Sequence, residues 1–409
     1  MSDNFPPERN ASASRVFEQA VYWVQSKCQV SVLTCAPNFP EGKLFKNYRN
    51  KWHQTEVMEG IQVHRIKTFM AKNQGVLLRS LDYASYLIPA LVTGLFFKKK
   101  DIIIANYPTP FVALAGLALS FVHKAPLILQ VSDLWPASIL AVEAMNDNRL
   151  IRWLEKLELY LYRQSAKIIV LTHAFKKNLI ARGINPEKII VILNGVELNK
   201  FAPRPANKHL AAQFNLLPEE FVAGYIGTLG MAHALENVLF SAELLKGKAP
   251  IRFLIVGAGA EREKLENLIK KKNLCNVILV ESQPKEKILD FWSLCNVALI
   301  HLKNSQVFSE VIPSKIFEAM AMGIPVIISA PAGEATALVV EEHIGIHLPP
   351  EDPKTLADTL LHYSKNRHEL VEFSQNCFKS ALKYNRQRQA METLNTLTGV
   401  YQNFYGKTS

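Results

Sequence analysis

Cysteine is scarce in this chain of 409 residues. The five present, Cys28, Cys35, Cys275, Cys295 and Cys377, are odd in number, widely scattered and include no C-x-x-C pair. That excludes a disulfide framework, and the five read as reduced packing residues of a cytosolic protein. Long apolar runs are missing as well. The longest stretch, 84–97, is interrupted by Pro89 and falls short of the roughly 20 residues a spanning helix needs, and no signal peptide opens the sequence. An integral membrane protein is therefore not expected. None of the eleven histidines forms an H-x-x-x-H or H-E-x-x-H pattern with a third ligand, so no helical metal site is expected either.

What is present describes a globular chain. With 49% apolar and 20% charged residues, 18 Gly and 21 Pro, the sequence is neither disordered nor collagen-like. Its length fits two large α/β domains. The formal net charge of +11 is unevenly spread. Residues 1–200 hold 25 Lys+Arg against 15 Asp+Glu, whereas 201–409 hold 22 against 21. Charge confined to one half points to an anionic partner of that half alone, with nucleic acid, an acidic substrate and anionic lipid as the classes to consider. Nucleic acid is disfavoured, because the basic half has no clustered stripe of Arg and aromatic residues.

Short β-branched runs alternate with helical patterns throughout, the signature of βαβ units and parallel sheets. The first half predicts strands at 29–34, 61–66, 102–105, 127–131, 168–172 and 189–193, with helices at 13–26, 78–97, 111–122, 148–164 and 173–182. A second series of strands falls at 222–226, 253–256, 277–279, 297–300, 326–328 and 345–348. The stretch 198–220, with Pro203, Pro205 and Pro218, marks the domain boundary, and a last helix at about 384–404 has no strand after it. Helix 13–26 is preceded only by a turn-rich segment. A doubly wound sheet carries its first strand centrally, so the expectation is that about a strand's worth of residues, five or six, lies upstream of Met1.

The most informative segment is 309–327, SEVIPSKIFEAMAMGIPVI. Ser309 is a candidate cap, Pro313 suits a first helical turn, and Gly323 with Pro325 ends the helix before a strand. A strand, loop and helix start in succession present free amides that suit a diphosphate, and Ser314 and Lys315 stand there, the lysine adding a positive charge. Glu318, one turn deeper, is placed to accept from the vicinal hydroxyls of a ribose, while Glu310 stays in the loop where a sugar ring would sit.

This segment resembles the E-x7-E motif of the family 4 glycosyltransferases. Asn194-Gly195-Val196-Glu197 resembles the family's N-G-V-D segment, and Gly257-Ala258-Gly259-Ala260-Glu261-Arg262 its G-x-G-x-E-R loop. Asn4-Phe5-Pro6-Pro7-Glu8, Ser132-Asp133-Leu134-Trp135-Pro136 and 227–236 resemble the branch that builds bacterial O-antigen and capsular polysaccharide. The resemblance implies the α/β GT-B architecture: two facing Rossmann-like doubly wound domains, an acceptor domain at 1–200 and a nucleotide-sugar domain at 201–383, with a C-terminal helix at 384–409 returning to the first. It also implies a retaining transferase that takes a UDP-sugar to a polyprenyl-diphosphate-linked saccharide at the inner face of the plasma membrane, the sugar being an N-acetylated hexosamine or deoxyhexosamine.

In the wider family the stretch around 228–233 carries an Arg and a Lys that neutralise the donor pyrophosphate. Here those positions are Thr228 and His233, which leaves Lys315, helped by the amides around Gly227 and Gly230, as the substitute. The implied donor contacts are then Gly227, Gly230, His233, Gly257, Gly259, Ser314, Lys315 and Glu318, with Glu310 and Asp133 as the catalytic carboxylates. Asp133 is a candidate acceptor base or a cap of the following turn, and Gly257 and Gly259 serve close packing as readily as ligand binding. None of the eight aspartates forms a D-x-D pair, the device that GT-A transferases use to hold a cation, so neither metal nor cofactor is expected. Arg79, Lys98, Lys99 and Lys100 rim the apolar helix 78–97, a pattern suited to resting on anionic lipid. Two rivals stay open. One is a UDP-sugar 2-epimerase of related two-domain fold, which would turn over donor without releasing UDP. The other is a non-catalytic sugar- or lipid-binding partner in a polysaccharide assembly complex.

Overall fold

The computed structural model describes residues 1–8, 10–39, 42–71, 76–107, 109–141 and 149–406. It divides into two compact units, Met1–Leu193 together with Arg386–Ser409, and Asn194–Asn385. The first unit thus ends at Leu193 rather than at 200. Val196 pairs instead with Asn385 and donates its N–H to the Tyr384 carbonyl at 2.9 Å, which ties the 194–201 stretch to the second unit.

The first unit holds two sheets. β1 (Ser31–Cys35) runs parallel to β3 (Ile61–Ile66), which pairs antiparallel with β2 (His53–Met58). β4 (Ile103–Tyr107), β5 (Leu127–Val131), β6 (Lys167–Val170) and β7 (Ile189–Val191) form a parallel sheet in that order. Backbone of the first two residues links the sheets: the Ser2 N–H donates to the Leu33 carbonyl at 3.1 Å, and the Met1 carbonyl accepts from the Asn106 N–H at 2.9 Å. β2 is absent from the sequence expectation because HQTEVM is polar; it is an edge strand with every second residue exposed.

One expected helix is two. Helices Val76–Ser85 and Leu87–Leu95 replace the continuous 78–97 pattern. Pro89 has no N–H to offer the Ser85 carbonyl and its ring crowds that carbonyl, so the ladder breaks at Tyr86. The C-terminal helix Arg386–Tyr405 lies on helix Ala11–Gln25. Leu397 and Val400 join Trp23, Ile128, Ile169 and Ile192 in one core, each aliphatic side chain contributing about 1.5–3 kcal/mol by burial. Trp23 Nε1 donates to the Ala390 carbonyl at 2.9 Å, and Arg386 pairs with Glu18 at 3.0 Å with both side chains almost fully buried.

The second unit is a single six-stranded parallel sheet. Its strands are β8 (Phe221–Ile226), β9 (Ile251–Val256), β10 (Val277–Val280), β11 (Val297–His301), β12 (Val326–Ser329) and β13 (Gly345–Leu348), in the order β10-β9-β8-β11-β12-β13. The chain builds outward from β8 to β10, then crosses back and builds outward again from β11. The reversal leaves a crevice at the carboxyl ends of β8 and β11, the place where open α/β sheets bind ligands. Among the described residues no helix is long and apolar enough to cross a membrane.

Candidate functional site at the strand-order reversal of the second unit

β8 ends at Ile226 and the chain turns through Gly227, whose φ of 150° is one that side-chain-bearing residues rarely adopt. The turn is laced to the loop after β9. Gly227 N–H donates to the Val256 carbonyl and Leu229 N–H to the Ala258 carbonyl, both at 2.9 Å. A Cβ on Gly257 would sit 1.9 Å from the Gly227 carbonyl oxygen, so the two backbones touch where only glycine fits. Gly257 and Gly259 therefore shape the crevice through close approach, which is one of the two roles the sequence allowed them. Gly230 follows in ordinary extended backbone and starts the short turn Met231–His233.

On the other wall, β11 leads into the single-turn helix Gln306–Glu310 and then into helix Lys315–Ala321. Ser309 is not the cap of the second helix. Its hydroxyl donates to the Gln306 carbonyl at 2.7 Å, and its backbone lies against Gly333, which fixes the turn carrying the half-buried Glu310. Ser314 occupies the cap position with no side-chain cap bond. Glu318, in the first turn, is half-buried and accepts from Trp292 Nε1 at 3.4 Å.

Lys315 points to the Gly227 turn: its Cε and Nζ lie 3.1 Å from where a Cβ on Gly227 would be. It is only 7% exposed. Its Nζ donates to Tyr225 Oη at 2.6 Å and lies 3.8 Å above that ring, and Tyr225 Oη in turn donates to the Thr228 carbonyl at 2.7 Å. Burial lowers the Lys315 pKa to about 7, against an opposing pull from Glu318. The full positive charge expected from sequence is thus not fixed at this lysine, because desolvation of the ammonium outweighs the pull of Glu318. His233 sits edge-on to the same ring, 5.8 Å between centroids. Its Nδ1 donates to the His301 carbonyl at 3.1 Å, which leaves Nε2 as an acceptor. Burial and the neighbouring Lys315 push its pKa well below the usual histidine value, so His233 is a neutral imidazole rather than a cation.

Sequence reasoning missed Tyr225, His301 and Trp292. Tyr225 reads as one more core position of an apolar strand, and nothing in FVAGYI distinguishes it.

In the first unit, Asp133 follows β5 and is half-buried. Burial raises its pKa, opposed by hydrogen bonds from the Ser138 hydroxyl and the Leu134 N–H, so the carboxylate already organises the turn into helix Ala137–Ala141. The basic rim is not uniform. Lys98 and Lys99 are exposed, Lys99 lying 5.7 Å from the Tyr405 ring centre, while Lys100 turns inward to donate to Ser31 Oγ at 3.0 Å. Arg79 belongs to helix Val76–Ser85, and its side chain is outside the described set. Among the described residues no three of His, Cys, Asp or Glu gather as a metal would require.

Residues 12–200 match the family model for Glycosyltransferase Family 4, and residues 207–380 match that for Glycosyl transferases group 1. The chain is 23% identical over 354 residues to the putative colanic acid biosynthesis glycosyl transferase WcaI of Escherichia coli (strain K12), covering 84% of this chain and 85% of that one. Among solved structures it resembles sucrose-phosphate synthase from Thermosynechococcus elongatus, with a TM-score of 0.79 at 17% identity over 98% of each chain. It also resembles Anabaena Alr3699/HepE in complex with UDP and glucose, with a TM-score of 0.73 at 18% identity over 97% of this chain and 98% of that one.

Proposed function

The chain belongs to the family 4 and group 1 glycosyltransferases of GT-B fold, and from that premise we propose that it is a retaining, metal-independent hexosyltransferase acting on a UDP-sugar and a polyprenyl-diphosphate-linked saccharide. The observation that carries this is the convergence, at the strand-order reversal of the second unit, of the Gly227 turn, Lys315 and Glu318. In this reading Glu318 accepts from the ribose hydroxyls. Lys315 and the amides of the 227–230 turn take the diphosphate, and Glu310 contacts the donor sugar. As the bond from sugar to diphosphate breaks, negative charge builds on the leaving oxygen, and a buried cation beside it acts where it is worth most. Asp133 of the first unit is assigned to the acceptor. The colanic acid relative supports a role in exopolysaccharide or O-antigen assembly, and the neighbour in complex with UDP and glucose supports uridine as the base. The sugar we propose is an N-acetylated hexosamine or deoxyhexosamine.

The test is a thermal-shift screen of UDP-, GDP- and dTDP-sugars followed by transfer assays with lipid extracts. UDP-sugars alone are expected to stabilise the protein, and UDP release is expected to require the lipid fraction. Stabilisation by another nucleotide, or turnover of donor without UDP release, overturns the reading.

We further assign the acceptor side to the membrane surface at the cytoplasmic face. Helices Leu87–Leu95 and Pro110–His123 meet at their C-terminal ends, where His123 Nε2 lies 3.0 Å from the Gly94 carbonyl. Around that contact Phe96 is 84% exposed and Phe121 68%, beside exposed Lys98, Lys99 and Lys124. Aromatic side chains rimmed by lysines are the chemistry of a protein resting on anionic lipid. The double substitution Phe96→Ser with Phe121→Ser is expected to weaken co-sedimentation with vesicles containing phosphatidylglycerol at least tenfold, since each buried Phe contributes roughly 1.5–3 kcal/mol. Unchanged sedimentation removes this face from the assignment.

A further inference from the structure

Lys315 is the buried lysine of the proposed donor site, yet among the described residues no carboxylate lies within salt-bridge distance of it. Its hydrogen-bond partner is a phenol, and the other groups around it supply little negative charge. Tyr225 belongs to β8, His233 to the turn Met231–His233 and His301 to the end of β11; among the described residues the pull toward the charged form comes from Glu318, on the lysine's own helix. Glu236, from the helix that follows, acts on His301. Neither histidine offers a charge, because burial holds His301 down at about 4 and His233 well below its usual value. An ammonium held this way is costly unless an anion arrives.

The geometry supplies the route for one. Nζ stands over the Tyr225 ring and beside the Gly227 turn, which is the edge of the crevice assigned to the diphosphate. We infer that Tyr225 is a positioning residue that holds Lys315 until the donor binds, and that the lysine then exchanges the phenol oxygen for a diphosphate oxygen and gains a proton from solvent. The balance is simple: one proton moves from water or buffer to Nζ, no covalent bond to carbon changes, and the Tyr225 hydroxyl keeps its bond to the Thr228 carbonyl. Donor affinity is consequently linked to pH in a known direction. Below about 7 the lysine already carries its proton and this group adds no pH dependence, and above that value each binding event must bring a proton in. The nucleotide's own phosphate, with a second pKa of about 6, is about nine-tenths ionised at pH 7 and more so above it.

This inference rests on the donor assignment above, and its test separates the two. UDP is titrated by calorimetry between pH 6 and about 9, and at pH 8 in buffers of different ionisation enthalpy. The wild type is expected to take up about nine-tenths of a proton per UDP at pH 8, with Kd rising toward tenfold per pH unit above pH 7, given a free lysine near 7. Lys315→Met is expected to abolish the uptake and flatten the profile. Tyr225→Phe keeps the ring but removes the oxygen that favours the ammonium, so the midpoint of the profile is expected to move to lower pH. A purely structural loosening would change Kd equally at every pH. Absence of UDP binding at any pH overturns the donor assignment itself. Binding without proton uptake overturns this inference alone, and so does uptake that survives Lys315→Met, which would place the proton on His233.

Discussion

Glu318→Ala is expected to weaken UDP binding roughly 100-fold while leaving the fold intact. The carboxylate stands in the first turn of helix Lys315–Ala321, half-buried and steadied by the Trp292 indole at 3.4 Å. Two charge-assisted hydrogen bonds to a ribose, each contributing about 1.5 kcal/mol or more, amount to about 3 kcal/mol, and each 1.4 kcal/mol is about tenfold in Kd. Alanine is a strong helix former, and the lost partner of the Trp292 indole costs about 1 kcal/mol. Calorimetry with UDP and with uridine monophosphate distinguishes a ribose contact from a phosphate contact. A ribose contact loses the same factor with both nucleotides. A change below threefold with either one removes the assignment.

Gly257→Ala is expected to be strongly damaging for a single-methyl change. Its Cβ would lie 1.9 Å from the Gly227 carbonyl oxygen and 3.0 Å from the carbonyl carbon, and these are backbone atoms that cannot rotate away. Relief requires the two loops to part, which breaks the bonds from Gly227 to Val256 and from Leu229 to Ala258. A loss of about 3 kcal/mol follows for the second unit, or roughly 6–12 °C in Tm for a unit of this size, together with loss of UDP binding. Gly230→Ala is the control. There the nearest atoms stand 3.7 and 3.9 Å from the added carbon, and φ is −108°, so thermal unfolding should change little. If both variants unfold together, or neither shifts, the close approach is not what holds this edge of the crevice.

Much of the second unit is legible in the sequence because its strands are buried on both faces and read as short apolar runs. VAGYI, FLIV and VALI coincide closely with β8, β9 and β11. β2 was not legible, since HQTEVM pairs on one side only and alternates toward solvent. Nor was the break at Tyr86: the apolar periodicity runs through Pro89, and only the proline signals the interruption. At the candidate site, spacing picked out Glu310, Lys315 and Glu318, and the structure sets the last two at the reversal point. The state of Lys315 could not be read in advance. It depends on Tyr225, ninety residues away in the chain, and on how deeply both are buried. The same holds for His233, whose neutrality follows from its burial and from Lys315 on a distant helix, against the opposing pull of the His301 carbonyl.

The return of helix Arg386–Tyr405 to helix Ala11–Gln25 has a consequence for biosynthesis. The second unit is one uninterrupted segment, Asn194–Asn385, so it can close as soon as that segment leaves the ribosome. The first unit cannot. Trp23 waits for the Ala390 carbonyl and Glu18 for Arg386, and both partners are made last. Until they emerge, the apolar face of the first helix and the buried carboxylate of Glu18 lack their cover. The half of the molecule translated first is therefore the half completed last, and premature termination directly after Asn385 yields a finished second unit attached to an unfinished first.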